Sequence, residues 1–136
     1  MKQHLFSRTE LLIGKDGLDR LKNSKVIVLG LGGVGSFTAE ALVRAGVGNL
    51  VIVDDDTVCL TNLNRQIHAK FDTISKSKVE VMRDRILSIN PKCNVEVYET
   101  FIKEDNIDEI IKKDVDYVAD AIDTVSSKIS TIVWCK

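Results

Sequence analysis

Four glycines fall within six residues, Gly30-Leu-Gly-Gly-Val-Gly35, between the β-branched run Lys25–Leu29 and an apolar-periodic stretch ending near Ala45. The run has no polar break after its first residue, which suits a strand covered on both faces of a parallel sheet. Gly30, Gly32 and Gly35 make the spacing G-x-G-x-x-G, with Gly33 as a fourth glycine. Each can take positive φ or admit another backbone, and the helix expected from about Ser36 to Ala45 points its free N–H groups into the turn. Such a turn serves an anion. Asp54 ends a second apolar run, Asn49–Val53, at roughly the twenty-residue spacing where a carboxylate meets ribose hydroxyls. Gly30, Gly32, Gly33, Gly35 and Asp54 are therefore candidate nucleotide-binding residues. The competing structural reading is a tight turn in a flavodoxin-like sheet.

Further along, CLTNLNRQIH (Cys59–His68) packs amides, Arg65 and His68 among apolar residues, more chemistry than a connection needs. Arg65 offers a planar five-donor fork for phosphate oxygens, and Asn62 can hold that fork or a phosphate. His68 reads as a packed or capping histidine, not a catalyst. Lys78 opens an expected helix running to about Ile89, where its charge opposes the macrodipole unless an anion lies nearby. Asp123 ends the fourth expected strand, in the crevice shared with Gly32 and Asp54; it can hold Mg²⁺ on nucleotide phosphates or cap the next helix as Asp-x-x-Ser. Asp120, two residues earlier, supports the site structurally. Asp55 and Asp56 read as solvated or capping, and Asp56 is kept in the cofactor-binding set beside Asp54. Two cations and a metal carboxylate exceed what a dinucleotide's pyrophosphate requires. They match a triphosphate whose pyrophosphate leaves. An NAD-binding domain remains the reading from another class, with Asp54 excluding a 2′-phosphate.

These side chains need a scaffold, and periodicity supplies one. Residues 5–23, with leucines among charges and breaks at Gly14 and Gly17, read as short helical pieces outside the sheet. Asn94–Glu99 alternates as a strand nearer the sheet edge, Glu104–Lys113 reads as a short amphipathic helix with Ile107, Ile110 and Ile111 inward, and Val115–Ile122 is the fourth strand. The expected fold is an α/β, Rossmann-like, doubly wound and mainly parallel sheet with helices on both faces. Residues 1–24 are expected to form a helical segment and 25–136 an incomplete nucleotide-binding domain, since four strands are fewer than such domains usually have.

Composition narrows the class. With 136 residues, 44% hydrophobic and 29% charged, the chain is ordinary globular material with one core. No apolar run is long enough to cross a bilayer, and the first ten residues lack a signal peptide's apolar centre, so a cytoplasmic location is expected. The formal net charge of −1 gives no overall basic footprint for nucleic acid, although a local patch could still hold an RNA. Cys59, Cys93 and Cys135 are odd in number and widely spaced, as reduced thiols are, and form no zinc motif.

The ordered set GLGGVG (Gly30–Gly35), VDDDTV (Val53–Val58), TNLNRQ (Thr61–Gln66), Lys78 heading KVEVM, and AIDT (Ala121–Thr124) resembles the adenylating domain of the ubiquitin-activating-enzyme-like superfamily of ThiF, MoeB and HesA. SRTELLIG, NRQIHA and AIDTVSSK resemble most closely its branch that dehydrates threonylcarbamoyladenosine in tRNA. The resemblance implies that Gly32 and Gly33 line the phosphates of ATP, that Asp54 binds ribose, that Asn62, Arg65 and Lys78 grip the triphosphate, and that Asp123 serves magnesium. It implies that Arg8 acts in the neighbouring subunit of a homodimer. It implies a carboxylate adenylated by ATP, with tRNA as the substrate or, alternatively, a ubiquitin-like sulfur-carrier protein. Asp55 departs from the aromatic or apolar residue usual at its position. The resemblance also implies that the family's remaining strands and any reactive cysteine lie beyond residue 136.

Overall fold

Four short strands, β1 (Lys25–Leu29), β2 (Asn49–Val53), β3 (Asn94–Tyr98) and β4 (Tyr117–Asp120), form one sheet in the order β3-β2-β1-β4, with every pair parallel. The helices between and around them are α1 (Ser7–Asn23), α2 (Gly33–Ala45), α3 (Lys78–Ile89), α4 (Ile107–Ile110) and α5 (Val125–Trp134). The computed structural model describes residues 3–136. None of its helices is long and apolar enough to cross a membrane.

Alternation along β1 and β2 sends side chains to two cores. Val26, Val28, Leu50 and Ile52 pack with Ala39 and Val43 of α2 and with Val79, Met82 and Ile86 of α3. Ile27, Leu29, Val51 and Val53 pack on the other face with Ile102, Ile107, Ile110 and Ile111. Both faces are covered, which is why these strands read as unbroken apolar runs and why the expected Rossmann-like architecture holds. Ile27, Leu29, Leu50 and Ile52 have no exposed surface, so truncating one to alanine costs about 2–5 kcal/mol.

The α2 and α3 helices are also joined by charge. The Glu40 carboxylate, 7% exposed, accepts from Arg85 Nε at 2.6 Å and Nη2 at 3.0 Å and from Arg44 Nε at 2.8 Å. Burial raises its pKa, but the two arginines outweigh that and hold the group below the ordinary glutamate value.

Element boundaries differ from expectation in four places. The α2 helix starts at Gly33, three residues early, because Gly32 is its extended N-cap and Ser36 already donates to the Gly32 carbonyl. Gly14 kinks α1 with φ 72° and ψ 173°, whereas Gly17 continues the helix. The helix expected over 104–113 shrinks to one turn. Asn106 accepts from the Lys103 N–H and donates to the Phe101 carbonyl, which ties the preceding residues into a turn. Finally, β4 is four residues long where eight were expected.

Candidate functional site

A cavity of about 350 Å³ opens at the carboxyl ends of β1, β2 and β4. The chain passes from β1 outward through β2 to β3 and returns to the other side of β1 as β4, so this is the point where the sheet's winding reverses. Such crevices are where open parallel sheets bind ligands, and the volume lies within the roughly 300–1,000 Å³ of small-molecule sites.

The glycine turn forms its floor. Gly30 has φ +85°, and a Cβ there would also meet the Ala121 carbonyl at 2.8 Å. Gly35 has an ordinary φ, but a Cβ would sit 1.7 Å from the Gly30 oxygen, so α2 could not pack against the turn. Of the two uses expected for these glycines, Gly30 shows the positive φ and Gly35 the close approach of another backbone. At Gly32 a Cβ would find nothing closer than 3.9 Å, leaving backbone open to the cavity. Gly33 and Gly35 lie outside the lining, Gly33 against the Arg65 side chain.

Asp54 stands at the end of β2 and faces this floor. Its Oδ2 accepts from the Leu31 N–H at 2.7 Å and its Oδ1 from the Asp56 N–H at 2.8 Å. The expected ribose carboxylate is therefore also a brace of the turn, with lone pairs left over for a hydroxyl donor.

Asn62, Arg65 and Lys78 all border the same cavity. The buried Asn62 accepts from the Cys59 N–H through Oδ1 at 2.8 Å, closing a short 3₁₀ turn. Among the described residues its amide nitrogen meets no acceptor, so it is left to donate. Arg65 is exposed, and its Nη1 donates to the Thr61 carbonyl and to Asn64 Oδ1, each at 3.0 Å, which aims the fork without consuming its other donors. Lys78 heads α3 but is only 5% exposed. Its Nζ lies 3.7 Å from the Asp56 carboxylate, so part of the anion that its position demands is supplied by the protein. Asp56 thereby lines the cavity as a counter-charge, a role beyond the solvated or capping one expected.

Asp123 is exposed on the opposite wall. The capping alternative is not realised, because α5 starts after Thr124 with no side-chain cap. Among the described residues the Asp123 carboxylate has no hydrogen bond or ion pair, so both oxygens are open to a hard cation, and the donor type fits Mg²⁺. The Asp54–Asp56 run also brings carboxylates close together, but Asp54 is bonded to backbone and Asp56 is paired with Lys78. Asp120 accepts from the Ile122 N–H and pairs with Lys128, the supporting part expected of it. Arg8, in the first turn of α1, does not line the cavity, and neither does any of the three cysteines.

Two further residues of this region matter: Gln66, given no role by the sequence, and His68, expected only to be packed or capping. Gln66 lines the cavity at 5% exposure, with an Oε1 that has no partner among the described residues. Its place beside Arg65 in TNLNRQ was visible; its burial was not. His68 is enclosed, as expected of a packed histidine, and its Nε2 donates to the Leu31 carbonyl at 2.7 Å. Burial pushes its pKa down, opposed by that carbonyl.

Sheet order, glycine turn and strand-end carboxylates together define a Rossmann-like α/β domain with its crevice at the switch point. More narrowly, the chain belongs to the ThiF family, whose profile matches residues 6–136. A tRNA threonylcarbamoyladenosine dehydratase of Bacillus subtilis is 51% identical over 132 residues, covering 97% of this chain and 52% of that protein. A molybdopterin-synthase adenylyltransferase of Haemophilus influenzae is 40% identical over 110 residues, covering 81% and 45%. The structure of the Escherichia coli tRNA N6-threonylcarbamoyladenosine dehydratase TcdA in complex with ATP superposes with a TM-score of 0.94 at 44% identity, covering 96% of this chain and 54% of that one. The chain spans about half the length of the curated relatives it matches.

Proposed function

We propose that this chain is the ATP-binding part of an enzyme that adenylates a carboxylate, and that the carboxylate is the threonylcarbamoyl group of N6-threonylcarbamoyladenosine in tRNA. The observation that carries the reading is convergence: the Gly30–Gly32 turn, Asp54, Asn62, Arg65, Lys78 and Asp123, scattered over more than ninety residues, border one cavity. The tRNA is the finer part of the proposal and leans on the relative named for that reaction at 51% identity.

In this reading a substrate carboxylate oxygen attacks the α-phosphorus of ATP. The bond to the β-phosphate bridging oxygen breaks and pyrophosphate leaves. Asp54 holds ribose, Gly32 offers backbone N–H to the phosphates, and Arg65 with Lys78 stabilises charge as it builds on the leaving oxygens. Asp123 would hold Mg²⁺, which supplies further neutralisation of the phosphates when bound. A nitrogen of the same side chain then attacks the activated carbonyl, and AMP leaves as the ring closes. Arg8 completes the neighbouring subunit's site in a homodimer.

The test is incubation of the full-length protein with labelled Mg-ATP and unfractionated tRNA, followed by nucleoside analysis. Pyrophosphate release with cyclised nucleoside is the expected result. Release only on addition of a ubiquitin-like carrier protein would assign the sulfur-carrier branch instead, and protection by NAD but not ATP would overturn both.

A further inference from the structure

His68 is 1% exposed and lies outside the cavity lining, yet it spends its one donor on the nucleotide turn. Its Nε2 meets the Leu31 carbonyl at 2.7 Å across 37 positions of sequence. A carbonyl only accepts, so Nε2 carries the proton and Nδ1 is bare. Nδ1 is buried and has no partner among the described residues. An unmatched buried acceptor works against folding, so packing alone favours an apolar ring of this size. The bond to Leu31 is what the imidazole adds.

That bond closes a clamp. The Leu31 N–H donates to Asp54 Oδ2 at 2.7 Å, so Asp54 holds the amide side of Leu31 and His68 the carbonyl side. No peptide here is cis, and in a planar trans peptide the C=O and the following N–H point opposite ways. Fixing the Leu31 oxygen on His68 therefore turns the Gly32 N–H away from the imidazole. Gly32 lines the cavity and is the N-cap of α2. His68 is anchored in turn, since Thr73 Oγ1 donates to its carbonyl at 2.9 Å and accepts from the Lys70 N–H at 2.8 Å.

We propose, resting on the nucleotide reading above, that His68 is a positioning residue of the phosphate turn: its imidazole sets the Leu31–Gly32 peptide so that the Gly32 N–H is presented to a nucleotide phosphate, while His68 itself touches no part of the nucleotide. Burial keeps the ring uncharged at neutral pH, which leaves this single donor as its contribution.

The experiment titrates the full chain with a non-hydrolysable ATP analogue and, separately, with adenosine, in wild type, His68→Phe and His68→Gln. Phenylalanine fills the space without a donor; glutamine returns an N–H at similar reach. His68→Phe should weaken the analogue about ten-fold, the size of one buried hydrogen bond left unmade, and leave adenosine within roughly two-fold. His68→Gln should restore most of the loss. Unchanged analogue affinity in His68→Phe overturns the proposal, as does an equal loss of analogue and adenosine or a failure of glutamine to rescue. A wild-type chain that binds neither ligand overturns the nucleotide reading itself. Nitrogen-15 NMR of the wild type provides the check that needs no variant: the ring should be protonated at Nε2 and the Gly32 amide should shift on saturation with analogue. An Nδ1–H tautomer, or an unmoved Gly32 amide, sinks the assignment.

Discussion

Arg65 and Lys78 bring positive charge to the cavity by different routes, and the difference decides how their variants should behave. Arg65 is exposed and held only through Nη1, so removing it disturbs little structure. Arg65→Ala is expected to lower kcat/KM for pyrophosphate release by about 10²–10³, some 3–4 kcal/mol of transition-state stabilisation, with Tm unchanged. Calorimetry beside a pyrophosphate assay separates the two quantities. Asp54 is the opposite case. Because it accepts from both the Leu31 and Asp56 N–H groups, Asp54→Ala should weaken ATP binding and also destabilise the free protein by about 1–3 kcal/mol. A variant with normal Tm and normal nucleotide affinity would remove Asp54 from the site.

At the scale of elements, the α2–α3 joint is the part whose strength pH should tune. Glu40 is held below its ordinary pKa by Arg85 and Arg44 despite burial. A carboxyl depressed on folding contributes stability above its unfolded pKa of about 4.3 and loses it as pH falls through the folded value. Glu40→Gln should therefore cost about 1–3 kcal/mol at pH 7 and progressively less below pH 4, as urea titrations at several pH values would record. The same helices mark what was legible in the sequence. The α3 helix matched its expected bounds because Val79, Met82 and Ile86 repeat at helical spacing and Pro91 bars continuation. The start of α2 was misplaced because Gly33-Val-Gly35 has poor helix propensity, which the close packing of Gly35 on the Gly30 carbonyl overrides. Arg65 and Lys78 were legible as cations without a structural purpose. Gln66 and His68 were not, since their meaning lies in which buried group they face, and that depends on folding across 30 residues or more.

The whole molecule joins a well-buried centre to an exposed apolar side. Any ligand that binds the folded cavity must stabilise it: ATP at a hundred times its Kd adds about 2.7 kcal/mol, and Tm in a melting curve should rise by several degrees. On the far side of β1, β4 pairs among the described residues with β1 alone, and its outer edge carries Tyr117, 67% exposed. Beside it α5 leaves Ile129, Ile132 and Val133 more than half exposed. An unguarded backbone ladder next to an oily helix invites copies of this chain to stick to one another. In isolation, sedimentation velocity should show mass rising with concentration, and Ile132→Lys should abolish that rise. Asp123 hangs from that same β4 rim, so association there would reach the acidic wall of the crevice without any ligand present.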